Sequence, residues 1–486
     1  MKNVKLDMTA GAEQVTLQGG ARWGHAYKAL VNGDQNGWFI NGARCPMVGV
    51  SGFVLGGGLS PFTRSLGMGC DTLLEATIVT ADGERVTVTS KDDRKEDKGK
   101  LFWALCRAGG GNLGVVVELK MRLQKLASRS VVAGLYVWAP KADAMTAFMG
   151  TMVDFYTADW PNQTSIDSAW VCNLEDARSE LRVRFPIYHN GSKTEFDTTI
   201  RKYIKNQELS KHLMQRSAAE PSTRFLWGTL VSQWSFENLS TLSSAAGRYS
   251  IYTSVALNND RKTITDVTSL IRKEMAAFRD RFTGEEGLLQ VTWIHAGGEA
   301  NRNKDSSTTA YPWRPCAYHI YVMLEWREKW LTSSMKGFLK KMEVELRKCS
   351  VNRRAAFINF PDGELKSHEA AYFGRNAAAL REVKKRWDAD NFFRWRQGVR
   401  LPPKPRPTPR GASMSAPTAE GATFSGPVDV IPVSRALPSE SIDEAEQSVE
   451  EEEEADDYIV DDVPVAVAAS NRYETGGVLS LNDLGF

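Results

Sequence analysis

Glycine is concentrated between Asn41 and Asp71, in the stretch NGARCPMVGVSGFVLGGGLSPFTRSLGMGCD. The stretch holds eight glycines and two cysteines, and it has no acidic residue before Asp71. Apolar residues separate the glycines, whereas flexible linkers with this much glycine are usually rich in Ser and other polar residues. Small residues with free backbone N–H groups suit the oxygens of a phosphate or the ring of a flavin. A tight turn in a β-rich core explains the same glycines, and glycine content alone leaves both interpretations open.

Two common phosphate-binding motifs do not match this stretch. A P-loop needs Gly-x-x-x-x-Gly-Lys-Ser/Thr, and no Lys follows the glycines here. The dinucleotide motif Gly-x-Gly-x-x-Gly opens a helix after a strand, but Gly49, Gly52 and Gly56 have other spacings and Pro61 follows soon after them.

A second glycine cluster lies further along the chain. Gly109 to Gly114, GGGNLG, stands between the apolar, helix-like Leu101 to Leu105 and the strand-like Val115 to Leu119. Because both glycine clusters lie beside apolar strands, they favour one extended ligand over two unrelated turns.

Composition limits the class of protein. No run of about eighteen apolar residues is present, so no membrane span and no membrane partner are expected. The N-terminus has no apolar core of a signal peptide. The six cysteines are scattered with no Cys-x-x-Cys pair, which argues against zinc and against a dense disulfide framework. We therefore predict no metal site.

Charge is distributed unevenly along the chain. From Pro403 onward there are 5 basic and 17 acidic residues, a balance of −12, so the net charge of +2 leaves about +14 on the preceding residues. No basic run with interleaved aromatic residues occurs, and no nucleic-acid partner is predicted. The Pro-, Ser- and Glu-rich composition of residues 402–486 predicts a disordered acidic tail.

Hydrophobic periodicity predicts an α+β fold. Short strands and a helix from Trp23 to Leu30 come first, and Asp82-Gly83 between two β-rich runs predicts a hairpin. From Arg122 to Arg347, strands such as Ser130 to Trp138 alternate with helices such as Val267 to Arg281. This order predicts an α+β domain with an antiparallel sheet.

Three segments carry a family resemblance: CPMVGVSGFVLGGG, SLGMGCDTLLEATIVTADGERV and LFWALCRAGGGNLGVVVELK. They resemble the second half of the PCMH-type FAD-binding domain of the vanillyl-alcohol-oxidase superfamily, in particular its berberine-bridge-enzyme-like branch. Arg354 to Leu401 resembles the C-terminal element of that branch. The resemblance implies an N-terminally incomplete FAD-binding domain over 1–125 and a substrate domain over 126–350. It further implies a berberine-bridge-type element over 351–401 that returns to the flavin, followed by the tail.

The resemblance implies FAD as the cofactor, contacted by both glycine clusters and by the C-terminal element. The implied contacts are Cys45, Val48, Gly49, Gly52, Gly56, Gly57, Gly58, Asp71, Asn112, Gly114, Val116, Phe357 and Asn359. Cys45 matches the position at which some relatives tether the flavin C6 through sulfur. A buried, small apolar role for Cys45 is the alternative.

The family's Arg-x-Gly-Gly-His motif is absent upstream, and the chain begins where the family is already well into its flavin domain. A truncated gene model is the explanation we expect. A partner that supplies the missing part, or a decayed protein that no longer binds flavin, are the alternatives.

The strand AYHIYVMLEW is the place to look for a catalytic base. Alternate residues face one side of a strand, so His319 and Tyr321 point the same way. The resemblance places both at polar positions that face the flavin. Phe357 replaces a Tyr that takes the substrate proton in several relatives, and Phe cannot titrate. Tyr321 is the first candidate base and His319 the second, with protonated His319 as a charge that would lower the pKa of Tyr321. A buried, structural histidine is the alternative.

Together these features predict an FAD-dependent oxidoreductase. It would take a hydride from a small alcohol, sugar or secondary metabolite, with O2 as electron acceptor and H2O2 as product. The alternative is a non-catalytic remnant, or an interaction protein that acts through its acidic tail. The sequence names neither the substrate nor the oligomeric state. Localisation is equally open, although members of the family are often secreted.

Overall fold

The computed structural model describes residues 1–176, 181–233, 248–302 and 309–403. The predicted tail lies outside the described residues from position 404 onward. The strands are β1 Val4–Asp7, β2 Gln14–Gln18, β3 Trp38–Phe39, β4 Leu73–Val79, β5 Arg85–Thr89, β6 Val115–Arg122, β7 Gln124–Lys125, β8 Ser130–Trp138, β9 Thr164–Ile166, β10 Ser168–Asn173, β11 Arg182–His189, β12 Ser217–Pro221, β13 Tyr249–Leu257, β14 Gly287–His295 and β15 Tyr318–Trp326. The helices are α1 Trp23–Asn32, α2 Val50–Leu55, α3 Thr63–Leu66, α4 Asp97–Leu105, α5 Met145–Thr157, α6 Lys193–Tyr203, α7 Gln207–Gln215, α8 Ser222–Arg224, α9 Arg261–Arg281, α10 Thr332–Cys349, α11 His368–Tyr372 and α12 Ala377–Trp387.

The first sheet has five strands in the order β1-β2-β6-β4-β5, and every neighbouring pair is antiparallel. The alternation in β2 buries Val15 and Leu17 against α1 and the glycine-rich segments, as period-2 patterning requires. The predicted hairpin joins β4 to β5, with Gly83 at φ 83° in the turn. The mixed helix and strand order predicted for this part of the chain is therefore confirmed.

The second sheet is antiparallel, as the sequence predicts. Its strands run β12-β8-β11-β10-β14-β15-β13, with β9 paired to β11 off this path. Helices α9 and α10 bury one face of the sheet, because their apolar residues recur at helical spacing. Asp260 caps α9 by accepting a hydrogen bond from the Thr263 N–H at 3.0 Å.

The opposite face of the second sheet, which we call the helix-free face, turns toward the first sheet. Ala256, Ile294 and Tyr321 on this face share a hydrophobic core with the glycine-rich segments. The segment 355–358 from the C-terminal part of the chain lies in the same core. The two sheets and the C-terminal element therefore meet along one seam.

The first glycine stretch is more helical than the predicted turn. It contains α2, α3 and a 3-10 turn at Gly69–Thr72. Val50, Val54 and Leu55 recur at helical spacing and are buried, so apolar burial offsets the entropy cost of the nearby glycines. In the part of the chain that the structure describes, no helix is long and apolar enough to span a bilayer.

Candidate functional site

The fold brings the two glycine clusters together. The Gly109 N–H donates a hydrogen bond to the Leu55 carbonyl at 2.9 Å. A Cβ built on Gly110 would lie 3.9 Å from the Cα of Gly52. The predicted convergence of the two clusters on one location is thus what the geometry shows.

Part of this location is an open surface that we call the glycine cradle, formed by Gly49, Gly52, Gly110 and Gly111. Gly49 is exposed, and a Cβ added to it would meet no atom within 4 Å. Gly111 is exposed as well and has φ 75°, which favours glycine. Val115 beyond the second cluster is one of the largest exposed apolar residues, with 53% of its surface accessible. The cradle therefore offers accessible backbone beside an apolar edge.

The triple glycine has a different environment. A Cβ on Gly56 would lie 1.7 Å from Asn359 Oδ1, and one on Gly58 would lie 2.5 Å from the Phe53 ring. Gly57 is similarly close to Arg107. These glycines make room for side chains of this chain, and their role as cofactor contacts stays a prediction.

Asn359 and Asn112 hold the cradle in place. Asn359 Nδ2 donates to the Phe53 carbonyl at 3.1 Å, which ties the C-terminal element to α2. Asn112 Nδ2 donates to the Ala108 carbonyl at 2.7 Å, and its Oδ1 accepts from the Val399 N–H at 2.8 Å. The side-chain amides of Asn359 and Asn112 form hydrogen bonds with protein backbone atoms, so they hold the loops that form the cradle.

The remaining predicted FAD contacts in and beside the two glycine clusters differ in accessibility. Val48 and Cys45 are half-buried, and the Val48 N–H donates to the Cys45 carbonyl at 3.3 Å. Gly114 and Val116 pack within the first sheet, where a Cβ on Gly114 would lie 2.7 Å from the Val79 carbonyl. Of this group, Val116 is buried, while Cys45, Val48 and Gly114 keep part of their surface accessible.

Asp71 is an ion-pair partner inside the seam. Its carboxylate contacts Arg314 at 2.5 and 3.2 Å and Arg107 at 3.4 Å, and it accepts the Met68 N–H at 2.9 Å. Burial alone would raise the pKa of Asp71, but the two guanidinium groups hold it below its ordinary value. Asp71 thus connects the 3-10 turn Gly69–Thr72 to the segment before β15.

His319 is buried in the seam and is uncharged near neutral pH. Its ring nitrogens lie 3.1 to 3.2 Å from the Tyr311 hydroxyl, and Nε2 lies 3.1 Å from Cys316 Sγ. Burial, followed by the nearby charge of Arg107, lowers the pKa of His319 to about 3. The expectation that protonated His319 supplies a positive charge to Tyr321 is therefore wrong. The alternative interpretation of a buried histidine fits this environment.

Tyr321 lies on the helix-free face, on the same side of β15 as His319, as the strand period predicts. It is half-buried and stacks on Phe360, with ring centroids 4.3 Å apart and planes at 22°. Ser254 and Thr292 are its cross-strand partners, which puts two hydroxyl groups beside it on the same face. Phe357 is buried close by, and its ring centroid is 4.8 Å from that of His319.

Arg44 is a site residue that the sequence analysis missed. Its Nη2 pairs with Asp167 Oδ1 at 3.0 Å, and its Nη1 donates to the Leu59 carbonyl at 2.6 Å. Burial opposes the charge on Arg44, yet its pKa is raised because Asp167, Tyr188 and Tyr321 interact with it electrostatically. Tyr321 is thus one of the groups that interact electrostatically with Arg44. A basic side chain inside an otherwise apolar stretch was the signal that could have identified it.

Comparison with known proteins agrees with this architecture. The family model "FAD binding domain" matches residues 1–89, and the model "Berberine and berberine like" matches residues 356–400. The chain is 24% identical over 392 residues to an FAD-linked oxidoreductase, easE, of Arthroderma otae; the match covers 79% of this chain and 60% of that protein. It is 25% identical to berberine bridge enzyme-like 12 of Arabidopsis thaliana, over 83% of this chain and 75% of that protein.

Solved structures give the same fold. Xylooligosaccharide oxidase from Myceliophthora thermophila C1, in complex with xylobiose, superposes with a TM-score of 0.64 at 18% identity, over 83% of this chain and 81% of that one. Two antiparallel sheets flanked by helices thus correspond to the α+β architecture that the resemblance implies. The chain spans 60% of the length of the first relative and 75% of the length of the second.

The residues of the cradle fit a flavin. A Cβ at position 110 would be in van der Waals contact with Gly52, so a long side chain at this position would occupy the space between the two glycine clusters. Trp395 packs near Gly111 and is 39% exposed, which adds an aromatic surface to the rim. Accessible backbone N–H groups flanked by apolar and aromatic surface match a ring system with polar edges.

Proposed function

We propose that this chain, which belongs to the berberine-bridge-enzyme-like FAD-linked oxidoreductases, oxidises a C–H bond of a small alcohol, sugar or secondary metabolite. The observation that carries the proposal is the position of Tyr321. It projects from the helix-free face within electrostatic range of Arg44, and two hydroxyl side chains flank it. A titratable phenol beside a fixed cation is the arrangement that removal of a hydroxyl proton needs.

The glycine cradle, with Val48 and Cys45, would hold FAD. When bound, FAD supplies the acceptor for two electrons and a proton equivalent, and O2 is the proposed final oxidant. Cys45 is half-buried, and attack on the flavin would require its thiolate form. A covalent link through Cys45 is part of this proposal.

The residues of this chain prepare the substrate for oxidation. Tyr321, as the phenolate form that the nearby charge of Arg44 would stabilise, accepts the proton of the substrate hydroxyl at its phenolic oxygen and becomes the neutral phenol. Stacking on Phe360 restricts the Tyr321 ring, so the oxygen is held in position before the substrate arrives. Ser254 is committed to the backbone of Phe357 and Phe360, at 3.0 to 3.2 Å, and anchors the C-terminal element beside the site.

The first experiment is a visible absorption spectrum of the purified chain, before and after acid precipitation. Flavin bands establish a loaded site, and flavin that stays in the pellet is covalently held. A protein that is colourless and takes up no added FAD would overturn the proposal that this chain holds the cofactor.

The second experiment tests Tyr321 itself. The loaded protein is assayed for H2O2 release against panels of primary alcohols, reducing sugars and alkaloids. The Tyr321→Phe variant should lose roughly 10²- to 10⁴-fold in kcat, the typical contribution of general base catalysis. Tyr249→Phe is the matched control, because Tyr249 lies in the neighbouring strand β13 and is exposed. Equal turnover in Tyr321→Phe and wild type would remove Tyr321 from the mechanism.

A further inference from the structure

A polar cavity lies at the edge of the second sheet where β14 ends and β15 begins. It has a volume of about 200 Å³ and opens between the ends of α5, β14 and β15 and the 3-10 turn Gly298–Asn301. Arg64, Asn162, His295, Asn301 and Tyr318 are among its lining residues. None of them belongs to the glycine cradle or to the surroundings of Tyr321.

Arg64 is a buried cation with an unusual set of partners. Only 7% of its surface is accessible, and its guanidinium donates to the carbonyls of Thr164, Ala296 and Trp160 at 2.6 to 2.9 Å. Within the described residues, no carboxylate lies within 4.0 Å of it. A guanidinium has five N–H donors, so two are left after these three bonds.

Two buried polar atoms on the cavity wall have no partner among the described residues. Tyr318 is 1% exposed, and its hydroxyl makes no hydrogen bond there. Asn301 Oδ1 is unpartnered as well. Buried polar groups are paired in the great majority of cases. The Tyr318 hydroxyl can donate to an acceptor in the cavity, whereas the Asn301 oxygen is itself an acceptor and needs a donor such as bridging water.

Gly297 shows where the donors converge. A Cβ built on this residue would lie 3.2 Å from Arg64 Nη1 and 3.6 Å from Asn301 Nδ2. His295 accepts the Ile166 N–H at Nδ1, at 3.4 Å, which leaves its ring proton on Nε2. The wall is therefore rich in N–H and O–H donors and carries one buried positive charge. Asp159 at the rim is exposed, where solvent screens its charge.

We propose that this cavity binds a small oxyanion, a carboxylate or a phosphate group, through Arg64, Tyr318 and Asn301. The two remaining N–H groups of Arg64 bind two oxygens of the anion, as guanidinium groups do with carboxylates and phosphates. The Tyr318 hydroxyl and the Asn301 amide N–H donate to the anion. The volume is that of about seven water molecules, enough for such a group together with bridging water.

The test uses the full chain as purified and measures thermal unfolding in sodium phosphate or sodium acetate that replaces sodium chloride at constant ionic strength. A specific site gives a saturable rise of Tm with anion concentration, from which Kd follows. Inorganic phosphate and acetate are separate arms, and the anion that saturates at the lower concentration identifies the class.

Tyr318→Phe removes only the unpartnered hydroxyl and should weaken binding by about tenfold or more, as expected for a hydrogen bond to a charged group. Asn301→Asp places a carboxylate near Arg64 and should abolish the response. Tyr156→Phe is the control, because the Tyr156 hydroxyl lies in the same core but is bonded to Ser168 and to Trp170 Nε1. An equal response in all four proteins, or a response that does not saturate, would overturn the proposal.

Discussion

Replacing Asp71 with Asn should destabilise the protein without removing the cofactor site. Asp71 lies between two buried guanidinium groups, with Arg107 fully buried and Arg314 2% exposed at the side chain. The substitution removes the negative charge and leaves both cations uncompensated. The Nη1 of Arg107 already has no hydrogen-bond partner among the described residues, so this guanidinium is short of acceptors even with Asp71 present.

The size of the expected loss in unfolding free energy follows from the burial of the ion pairs of Asp71. Removing one partner of a buried ion pair costs about 3–5 kcal/mol, whereas an exposed pair contributes about 0–1 kcal/mol. Total stabilities are about 5–15 kcal/mol, so Asp71→Asn should lower the free energy of unfolding by a large fraction. Glu75→Gln is the matched control, because Glu75 pairs with Lys120 at 3.2 Å on the half-exposed surface of the first sheet.

Urea unfolding followed by tryptophan fluorescence measures the loss, and flavin absorbance per folded molecule measures the site. We expect the Asp71→Asn midpoint to fall well below that of Glu75→Gln, with flavin content per folded molecule unchanged. The loss should shrink as pH falls below about 4, because the depressed pKa of Asp71 stabilises the fold only while the carboxylate is charged. A variant as stable as Glu75→Gln would refute the ion-pair reasoning, and a selective loss of flavin would restore Asp71 as a cofactor contact.

Three further outcomes are expected. The free energy of unfolding should fall as pH drops from about 6.5 toward 3, because histidine in the unfolded chain binds a proton that buried His319, with its pKa of about 3, does not. His319→Gln should remove the part of this pH dependence that His319 causes, on the order of 4 kcal/mol at the acid end. Urea titrations at several pH values measure it. Gly110→Leu should fill the cradle and reduce flavin content several-fold at nearly unchanged Tm, while Gly150→Leu in α5, where an added Cβ meets no atom within 4 Å, should change neither. Cys45→Ser should release into the acid supernatant any flavin that wild type retains in the pellet; flavin that stays pelleted in the variant would exclude Cys45 as the tether.

Most of the secondary structure was predictable because local signals agree with the tertiary fold. Strand β8 has the predicted bounds, and the Asp82-Gly83 hairpin and α1 occur where turn chemistry and helical spacing place them. The helix α2 was not predicted, because its glycines disfavour helix locally. Burial of Val50 and Val54 decides its conformation, and a sequence alone does not show that burial.

The candidate site was predictable only in part. The period of β15 placed His319 and Tyr321 on one face, since alternation depends on the backbone alone. Their electrostatic surroundings depend on residues far away in sequence: His319 is buried in the seam near Arg107, and Tyr321 interacts with Arg44, which lies 277 positions earlier in the chain. Whether a charged side chain lies near Tyr321 therefore depends on tertiary packing, which the strand pattern does not contain.

Among the described residues, Arg44, Arg64, Arg107 and Arg314 are buried or half-buried, and their charges are compensated in different ways. Arg44 pairs with Asp167, while Arg107 and Arg314 share Asp71. Arg64 has only carbonyl dipoles among the described residues. Uncompensated charge in a low-dielectric interior is costly. Two carboxylates serve the other three guanidinium groups, while Arg64, beside a cavity, has none within 4.0 Å among the described residues. An anion taken up from solution at that cavity would offset this cost, which is the electrostatic basis of the proposal for Arg64.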